Sequence, residues 1–231
     1  MDGYLLVNKP VGISSFGVVA KIRGIWRQEL RKDGLSPKKA KIGHTGTLDP
    51  AAEGLMILVL GSYTKKAGQF SKMDKVYEVE ITLGSVSSTG DEEGVITKKT
   101  DKKPSLPEIN EAIKKFEGEI MQHPPIYSAI KVDGKRAYQL AREGKTVKLE
   151  ARPVVVHSIR NIEYDYPKLK LTSHVGSGTY IRSLAEDIGH QLATGAYMSK
   201  LKRVGVGAFN LNDALELKDL DYQQLLKALR N

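Results

Sequence analysis

Residues 55–60, Leu-Met-Ile-Leu-Val-Leu, form the longest unbroken apolar run of the chain. The run is far too short for a helix that crosses a bilayer, which needs about 20 apolar residues. Its length and continuity are those of a strand buried at the centre of a sheet. Strand-like and helix-like segments occur around it without the regular alternation of a doubly wound fold. The sequence therefore predicts an α+β fold with a sheet built around residues 55–60.

Other segments have the local patterns of strands and helices. In residues 77–83 apolar and polar side chains alternate, as expected for a strand, and residues 5–7, 154–159 and 169–175 are also predicted as strands. Ser14 or Ser15 can cap a first helix, and residues 105–108, Ser-Leu-Pro-Glu, have the form of a capping box. Thr179 can cap a further helix, and a last one is predicted near residues 221–229.

The chain is strongly basic. It has 36 lysine and arginine residues against 27 aspartate and glutamate residues, a formal net charge of +9. A basic surface favours polyanions, of which nucleic acid is the commonest. Part of the charge lies in residues 26–41, which contain Gly34 and Pro37 and are predicted as a basic loop. Charge indicates partners and not folds, so an ordinary basic enzyme is the alternative to a nucleic-acid-binding protein.

Cysteine is absent, which excludes disulfides, thiolate–metal sites and a sulfur nucleophile. The five histidines are scattered, without a pair at the spacing of zinc ligands. Carboxylates remain as ligands for an ion such as magnesium, but a metalloenzyme is not expected. The N-terminus lacks the charged and apolar regions of a secretory signal, so a cytoplasmic protein is expected.

Residues 43–50, Gly-His-Thr-Gly-Thr-Leu-Asp-Pro, carry the strongest chemical signal, and we call them the aspartate loop. The two glycines let a backbone or a ligand come close, and Pro50 disfavours the α region at Asp49. A buried strand follows at once and supplies a rigid base. The pattern indicates a carboxylate held in a fixed position, as in many catalytic sites. The alternative is a structural turn in which Asp49 caps a backbone N–H.

Arg182 has an unusual place for a cation. It falls in the first turn of the helix predicted after Thr179, where the helix macrodipole disfavours positive charge by roughly 0.3–1 kcal/mol. It also lies off the apolar face of that helix. An anionic partner is therefore expected, either a buried carboxylate or a phosphate. The alternative is an exposed arginine at no real cost.

Several different short motifs are distributed along nearly the whole chain. They are residues 5–12 (Leu-Leu-Val-Asn-Lys-Pro-Val-Gly) with Ser14 and Ser15, the aspartate loop with Gly54 and Leu55, residues 75–77 (Lys-Val-Tyr), 89–91 (Thr-Gly-Asp), 124–131 (Pro-Pro-Ile-Tyr-Ser-Ala-Ile-Lys) with Gly134 and Tyr138, 178–182 (Gly-Thr-Tyr-Ile-Arg) and 201–203 (Leu-Lys-Arg). In these motifs and their order the chain resembles the TruB family of tRNA pseudouridine synthases. The resemblance implies the pseudouridine synthase fold: a mixed, largely antiparallel sheet flanked by helices, with the active-site cleft across the sheet.

The resemblance also implies a reaction, in which uracil is detached from its ribose, turned and rejoined through carbon. Asp49 matches the family's essential carboxylate, which attacks the sugar or the base, or stabilises charge at C1′; the sequence leaves these routes open. Arg182 matches the arginine that pairs with this aspartate and keeps it ionised. Tyr77 matches the tyrosine that packs on the target base, with a role in proton transfer. The alternative for Tyr77 is a core aromatic residue.

Further positions match residues of the family's substrate pocket. They are Lys9, His44, Asp91, Tyr180 and Leu201. His44 matches the histidine that stacks within the opened RNA loop, and Lys9 matches a motif that mostly shapes the pocket floor. The resemblance implies neither a metal nor an organic cofactor.

The implied substrate is the TΨC loop of tRNA, at position 55, with the uridine flipped out of its stack. Residues 119–152 match an insertion that closes over the RNA, and its cations are Lys131, Lys135, Arg136 and Arg142. One catalytic domain over residues 1–231 is expected, without the PUA-type RNA-binding domain that many relatives carry. A monomer that needs no guide RNA and no membrane is expected as well.

Other functions remain open from the sequence. A non-catalytic RNA-binding protein or tRNA-folding chaperone could use the same scaffold. A uridine C5-methyltransferase acts at the same carbon, but the known type uses a cysteine nucleophile, which this chain lacks. A hydrolase could use Asp49 with a second carboxylate such as Glu53 or Asp91, and it would release free uracil.

Overall fold

The structure is a computed structural model that describes residues 1–128, 130–132, 134–144 and 149–231, without the side chains of Tyr138 and Arg142. The chain forms two compact units. The first unit comprises Met1–Tyr77 and Lys202–Asn231, and the second comprises Glu78–Leu201. Among the described residues, no helix combines the length and the apolar character that crossing a membrane requires.

Strands and helices are numbered in chain order. The strands are β1 (Gly3–Lys9), β2 (Ile42–His44), β3 (Glu53–Leu60), β4 (Lys75–Leu83), β5 (Ser85–Ser87), β6 (Ile96–Lys98), β7 (Gly118–Gln122), β8 (Lys131–Val132), β9 (Lys135–Arg136), β10 (Arg152–Asp165), β11 (Lys168–Val175), β12 (Ala196–Val206), β13 (Phe209–Asn210) and β14 (Leu215–Glu216). The helices are α1 (Ser15–Lys32), α2 (Ala67–Ser71), α3 (Leu106–Lys114), α4 (Ala137–Arg142), α5 (Ile181–Gln191) and α6 (Tyr222–Ala228). This mixture confirms the α+β class.

The first unit is built around β3, whose residues 54–60 are all buried. Strand β1 runs antiparallel to β3, with Leu5 opposite Leu58. The C-terminal part of β12 runs parallel to it, with Arg203 opposite Gly54. Strand β2 also pairs with β3, and β14 pairs with β1. The predicted buried central strand is therefore confirmed.

An apolar core lies on one side of β3. It consists of Leu6, Leu55, Ile57, Val59, Phe70 and Val206, with the ring of Tyr4 at its rim. The Tyr4 ring lies 5.3 Å from that of Phe70 and 5.4 Å from that of Phe209. Burying each such side chain contributes roughly 1.5–3 kcal/mol. This packing gives the loops that enter β3 a rigid base.

Within the second unit the strands follow the order β12, β4, β11, β10, β7. Strand β10 is antiparallel to both of its neighbours, with Tyr164 opposite Leu169 of β11 and Val154 opposite Ile120 of β7. Helix α3 contacts α5 and β10. The buried faces of the two helices carry residues at helical spacing, among them Ile109 and Ile113 of α3 and Leu184, Ala185 and Ile188 of α5.

A polar cluster covers the second face of β4 within the second unit. Glu80 accepts hydrogen bonds from Lys168 Nζ and Ser199 Oγ, both at 2.9 Å. Lys168 Nζ also donates to Thr82 Oγ1 at 2.9 Å. The alternation predicted for residues 77–83 is present, but Glu80 and Thr82 are buried as well. Polar side chains on this face are buried because they have hydrogen-bonding partners there.

The predicted basic loop at residues 26–41 is wrong over its first part, which is helical. Helix α1 runs to Lys32 because Trp26 and Leu30 continue the buried stripe that begins at Val18. Residues 37–39 then form a single 3₁₀ turn.

Two of the predicted helix caps are confirmed and one is wrong. Ser14 accepts from Gly17 N–H at 3.0 Å, and Ser105 forms the capping box with Glu108. Thr179 does not cap α5; the N-cap residue is Tyr180. The Thr179 hydroxyl instead donates to the carbonyl of Gly176 at 3.0 Å, because a hydroxyl readily bonds a nearby backbone carbonyl.

Candidate active site

The aspartate loop leaves β2 and enters β3 through backbone that is fixed at several points in the first unit. Thr45 N–H donates to the carbonyl of Ile57 in β3 at 3.1 Å. The buried Ser15 hydroxyl donates to the carbonyl of Leu48 and accepts from its N–H, both at 2.8 Å. The loop is therefore bonded to β3 and to the start of α1 on the N-terminal side of Asp49.

Lys9 fixes the C-terminal side of Asp49. Its side chain is fully buried, and its ammonium donates to the carbonyls of Pro10 at 3.0 Å, Ile13 at 2.7 Å and Pro50 at 3.3 Å. Gly12 N–H donates to the same Pro50 carbonyl at 2.8 Å. A buried ammonium is tolerated here because several carbonyls replace the water it has lost. Lys9 thus shapes the backbone next to Asp49.

Asp49 itself is half-buried, between the buried Leu48 and the exposed Pro50. Its carbonyl accepts from Ala52 N–H at 3.1 Å, which closes a turn before β3. A carboxylate at the boundary of a rigid backbone and solvent is positioned to meet a substrate. It can act as a nucleophile, as a base or as a stabiliser of positive charge.

His44 and Tyr77 also belong to the first unit. His44 lies at the end of β2, and its Nδ1 is buried without a hydrogen-bond partner in the part of the chain that the structure describes. Burial and, to a lesser degree, the charge of Arg203 lower the pKa of His44, so its imidazole is neutral at neutral pH. Tyr77 lies in β4 and is 7% exposed.

Arg182 and Asp91 form an ion pair in the second unit. The guanidinium Nη1 lies 3.3 Å from Asp91 Oδ2, and the two residues are only 8% and 3% exposed. Arg182 also donates to the carbonyls of Thr89 at 3.1 Å and Tyr127 at 2.7 Å. The expected buried carboxylate is therefore present, and the alternative of an exposed arginine is wrong.

Tyr180 and Leu201 are both half-buried residues of the second unit. The buried Gln122 side chain holds the Tyr180 backbone from both sides. It accepts from Tyr180 N–H at 2.8 Å and donates to the Tyr180 carbonyl at 3.1 Å. Leu201 lies in β12. Glu186 lies one turn into α5. Its pKa is raised by burial and, to a lesser degree, by the neighbouring charge of Asp187.

The structure thus distributes the predicted site residues between the units. Lys9, His44, Asp49 and Tyr77 lie in the first unit, and Asp91, Tyr180, Arg182 and Leu201 lie in the second. Within the first unit Lys9 is bonded to the backbone beside Asp49. Within the second, Asp91 and Arg182 are paired, and Tyr180 and Leu201 are not members of that ion pair.

Three residues that hold the site were not predicted from the sequence to do so. Ser15 bonds the aspartate loop, Gln122 holds Tyr180, and Arg203 donates to the carbonyl of Gly46 at 3.1 Å. Ser15 and Arg203 fall inside motifs of the family resemblance, and this was the available signal for them. Gln122 carries no such signal, because a glutamine in a strand-like segment is ordinary.

Two family descriptions match the chain. The description "TruB family pseudouridylate synthase (N terminal domain)" matches residues 32–181, and "tRNA pseudouridylate synthase B C-terminal domain" matches residues 182–230. A tRNA pseudouridine synthase B of Clostridium acetobutylicum is 40% identical over 231 residues, covering 100% of this chain and 76% of the relative. One of Endomicrobium trichonymphae is 40% identical over 222 residues, covering 96% of this chain and 92% of the relative.

Solved structures share the fold. A chain in the crystal structure of a Cbf5-Nop10-Gar1 complex is 29% identical with a TM-score of 0.72, over 97% of this chain and 55% of that one. A chain in the structure of an H/ACA RNP bound to a substrate RNA containing 2′-deoxyuridine is 27% identical with a TM-score of 0.68, over 97% of this chain and 54% of that one. This chain therefore spans just over half the length of those chains.

The shared fold and the matched family regions define the class of this protein, which is an enzyme. The chain belongs to the TruB family of pseudouridylate synthases.

Proposed function

We propose that this enzyme isomerises uridine to pseudouridine in tRNA, at position 55 of the TΨC loop. The observation that carries the proposal is the aspartate loop, which presents a half-buried carboxylate from backbone fixed by Ser15 and Lys9. The loop lies inside the region that matches the family. The relatives' names, tRNA pseudouridine synthase B, support tRNA as the substrate.

The proposed reaction breaks the bond between ribose C1′ and uracil N1 and forms a bond between C1′ and C5. C5 loses a proton and N1 gains one, so atoms and electrons balance without an oxidant or a reductant. We propose that Asp49 is the essential carboxylate of this exchange. It attacks the sugar or the base, or it stabilises positive charge at C1′.

The other catalytic assignments rest on the family pattern. We propose that Arg182 keeps the catalytic carboxylate ionised and that Tyr77 packs on the target base and takes part in proton transfer. His44 is proposed to stack within the opened RNA loop, and its neutral imidazole suits that role because a neutral ring stacks without the cost of desolvating a charge.

The remaining pocket assignments are supported by the contacts within each unit. Lys9 shapes the pocket floor through its carbonyl contacts, and Asp91 fixes the guanidinium of Arg182. Tyr180 and Leu201 are proposed to line the pocket, since both are half-buried and not part of a closed core. The whole chain is proposed to act as one catalytic domain.

RNA binding is proposed to rest on the basic surface, since the formal net charge is +9. The proposed clasp, residues 119–152, includes the pair of strands β8 and β9, on which Lys131, Lys135 and Arg136 are exposed. The side chain of Arg142, also part of the predicted clasp, lies outside the described residues. The target uridine must leave its stack to reach Asp49, so the enzyme flips the base.

The enzyme is further proposed to act as a monomer in the cytoplasm and to find its target without a guide RNA. The proposal that no guide RNA is needed is supported by a difference in sequence identity between two groups of proteins. Relatives named for tRNA are 40% identical to this chain, whereas the chain of the Cbf5-Nop10-Gar1 complex is 29% identical.

The test is incubation of the purified protein with unmodified tRNA, followed by mapping of pseudouridine along the molecule. We expect pseudouridine at position 55 and none in a control tRNA whose uridine 55 is replaced by cytidine. Pseudouridine at another position would show that the assignment of the target is wrong. Release of free uracil would indicate a hydrolase, and binding without any product would indicate an RNA-binding protein or chaperone.

A further inference from the structure

We propose that Arg203 is a positioning residue for Asp49, because its guanidinium ties together the two ends of the backbone segment, residues 46–55, that carries the aspartate. The inference rests on the proposed function, since it concerns the rate of the reaction assigned to Asp49. Every contact on which it depends lies within the first unit.

The guanidinium bridges two backbone carbonyls. Arg203 Nε donates to the carbonyl of Leu55 at 2.6 Å, and Nη2 donates to the carbonyl of Gly46 at 3.1 Å. Arg203 is only 2% exposed. The rigid, planar fork of an arginine presents donors on separate atoms at fixed distances, whereas the donors of a lysine ammonium all lie on one atom, so its acceptors must converge on a single point. One side chain thus connects the two ends of residues 46–55.

Two glycines permit this close approach. A Cβ atom at Gly46 would lie 3.3 Å from Arg203 Nη1, so a side chain there would press on the guanidinium. A Cβ at Gly54 would lie 2.3 Å from the Arg203 carbonyl oxygen, and Gly54 has a φ of +111°. Gly54 is also the residue opposite Arg203 in the pairing of β3 with β12. Gly46 therefore leaves room for the guanidinium itself, and Gly54 leaves room for the backbone of β12 that carries it.

The other anchors of the aspartate loop do not replace this bridge. Thr45 is bonded to Ile57, Leu48 to Ser15 and Pro50 to Lys9. Among the contacts described for the loop, Arg203 supplies the one at Gly46 and links it to the strand that follows Asp49. Its loss removes the link between Gly46 and β3, while the neighbouring anchors and the pairing of Leu55 with Asn8 remain.

The charge of Arg203 also acts on the groups around the loop. Burial is the larger cause, and Arg203 the next, of the lowered pKa values of His44 and of Lys75, which falls to about 8. Replacing Arg203 with a neutral residue is therefore expected to raise the pKa of His44. Arg203→Met is the variant of choice for this measurement, because the large methionine side chain limits the change in the burial of His44 while the charge is removed.

The experiment compares Arg203→Lys and Arg203→Met with Lys202→Met, which removes a neighbouring cation whose side chain is 40% exposed. Single-turnover rates at saturating tRNA and dissociation constants for tRNA are measured for each. We expect the two Arg203 variants to lose about 100-fold in rate, because small displacements of a catalytic group have effects of this size, with dissociation constants within about threefold of the wild type. Lys202→Met is expected to keep the wild-type rate.

Two further measurements separate positioning from general destabilisation. In Arg203→Ala, added methylguanidinium is expected to restore at least about a tenth of the lost rate, whereas methylammonium is not. NMR titration of His44 is expected to show a higher pKa in Arg203→Met than in the wild type. A folded Arg203 variant whose rate stays within about threefold of the wild type, or whose loss lies in RNA affinity alone, overturns the proposal.

A measurement on the wild type covers the case in which the variants do not fold. The Arg203 Nε–H should exchange with solvent as slowly as the backbone amides of β3, because it is buried and bonded to Leu55. Fast exchange of this proton overturns the proposal. A wild-type protein that makes no pseudouridine contradicts the proposed function instead, and the exchange measurement still decides whether the bridge exists.

Discussion

Around the aspartate loop, backbone carbonyls take the place of water as partners of buried cations. The ammonium of Lys9 bonds the carbonyls of Pro10, Ile13 and Pro50, and the guanidinium of Arg203 bonds those of Gly46 and Leu55. Such cations are costly to bury alone, but here each one ties together pieces of chain that lie far apart in the sequence. The two cations thus fix the backbone on both sides of Asp49.

One consequence concerns stability at Lys9. In Lys9→Met, three carbonyls lose a donor that is buried with them, so we expect the free energy of unfolding to fall by about 2–4 kcal/mol. Urea denaturation measures the change. Lys21→Met, an exposed lysine of α1, serves as the control and should change stability by less than about 0.5 kcal/mol. Equal effects of the two substitutions would contradict the role of the buried ammonium.

A second consequence concerns pH and Glu80. Burial opposes ionisation, but hydrogen bonds from Lys168, Ser199 and Lys200 outweigh it and lower the pKa of Glu80 from 4.5 to about 2. The ionised carboxylate therefore stabilises the fold at pH above 4.5, and this contribution, at most about 3 kcal/mol, is lost as the pH falls toward 2.

Melting temperatures between pH 5 and pH 2.5 test this point. The wild type should lose stability more steeply than Glu80→Gln over that range, because the glutamine cannot titrate. Glu78→Gln, at an exposed carboxylate two residues earlier in the same strand, should follow the wild-type curve. Parallel curves for the wild type and Glu80→Gln would refute the assignment.

At the scale of the helices and strands, the sequence predicted the features that depend on residues close together in the chain. The apolar run of β3, the alternation of β4 and the serine caps of α1 and α3 are set by neighbours in sequence, and the structure confirms them. Gly34 and Pro37 predict a loop but lie beyond the end of α1, and the buried stripe of the helix continues through Trp26 and Leu30.

The anchors of the site could not be read from local patterns. Lys9 and Pro50 are separated by 41 residues, and Arg203 and Gly46 by 157. Only the tertiary fold brings these groups together, and neither composition nor periodicity contains that information. For the same reason the sequence predicted an anionic partner for Arg182, either a buried carboxylate or a phosphate, but could not derive Asp91 as that partner from spacing.

The capping box of α3 gives a prediction at this scale. In Ser105→Ala, the helix loses the side-chain acceptor for Glu108 N–H, and we expect a loss of about 1 kcal/mol in the free energy of unfolding. Ser36→Ala is the matched control, because the Ser36 side chain makes no capping bond at the turn it precedes. Thermal unfolding of both variants measures the difference, and an unchanged melting temperature in Ser105→Ala would be inconsistent with the cap.

At the scale of the whole molecule, the excess of positive charge fits the proposed RNA substrate. The formal net charge of +9 predicts that affinity for tRNA falls steeply with salt. The exposed cations of β8 and β9 are proposed to contribute part of that dependence by closing over the RNA. Nothing local in residues 119–152 assigns this role; it comes from the family resemblance and the exposure of these side chains.

Removing those cations together tests the clasp. In the triple variant Lys131→Ala, Lys135→Ala, Arg136→Ala, we expect weaker tRNA binding and a salt dependence reduced by about two units in the logarithmic slope, since each lost phosphate contact removes somewhat less than one. The control removes three exposed lysines elsewhere in the second unit, Lys114, Lys115 and Lys170. If both triple variants change the slope equally, binding reflects net charge and not a clasp.

The central claim is that the carboxylate of Asp49 performs the isomerisation. Asp49→Asn keeps the size of the side chain and removes its charge, and Asp33→Asn makes the same change at an exposed position after α1. Formation of pseudouridine in unmodified tRNA is measured in a single turnover together with the dissociation constant. The account predicts that Asp49→Asn binds tRNA within about threefold of the wild type and forms no detectable product, while Asp33→Asn is fully active. Pseudouridine formed by Asp49→Asn at a wild-type rate would contradict it.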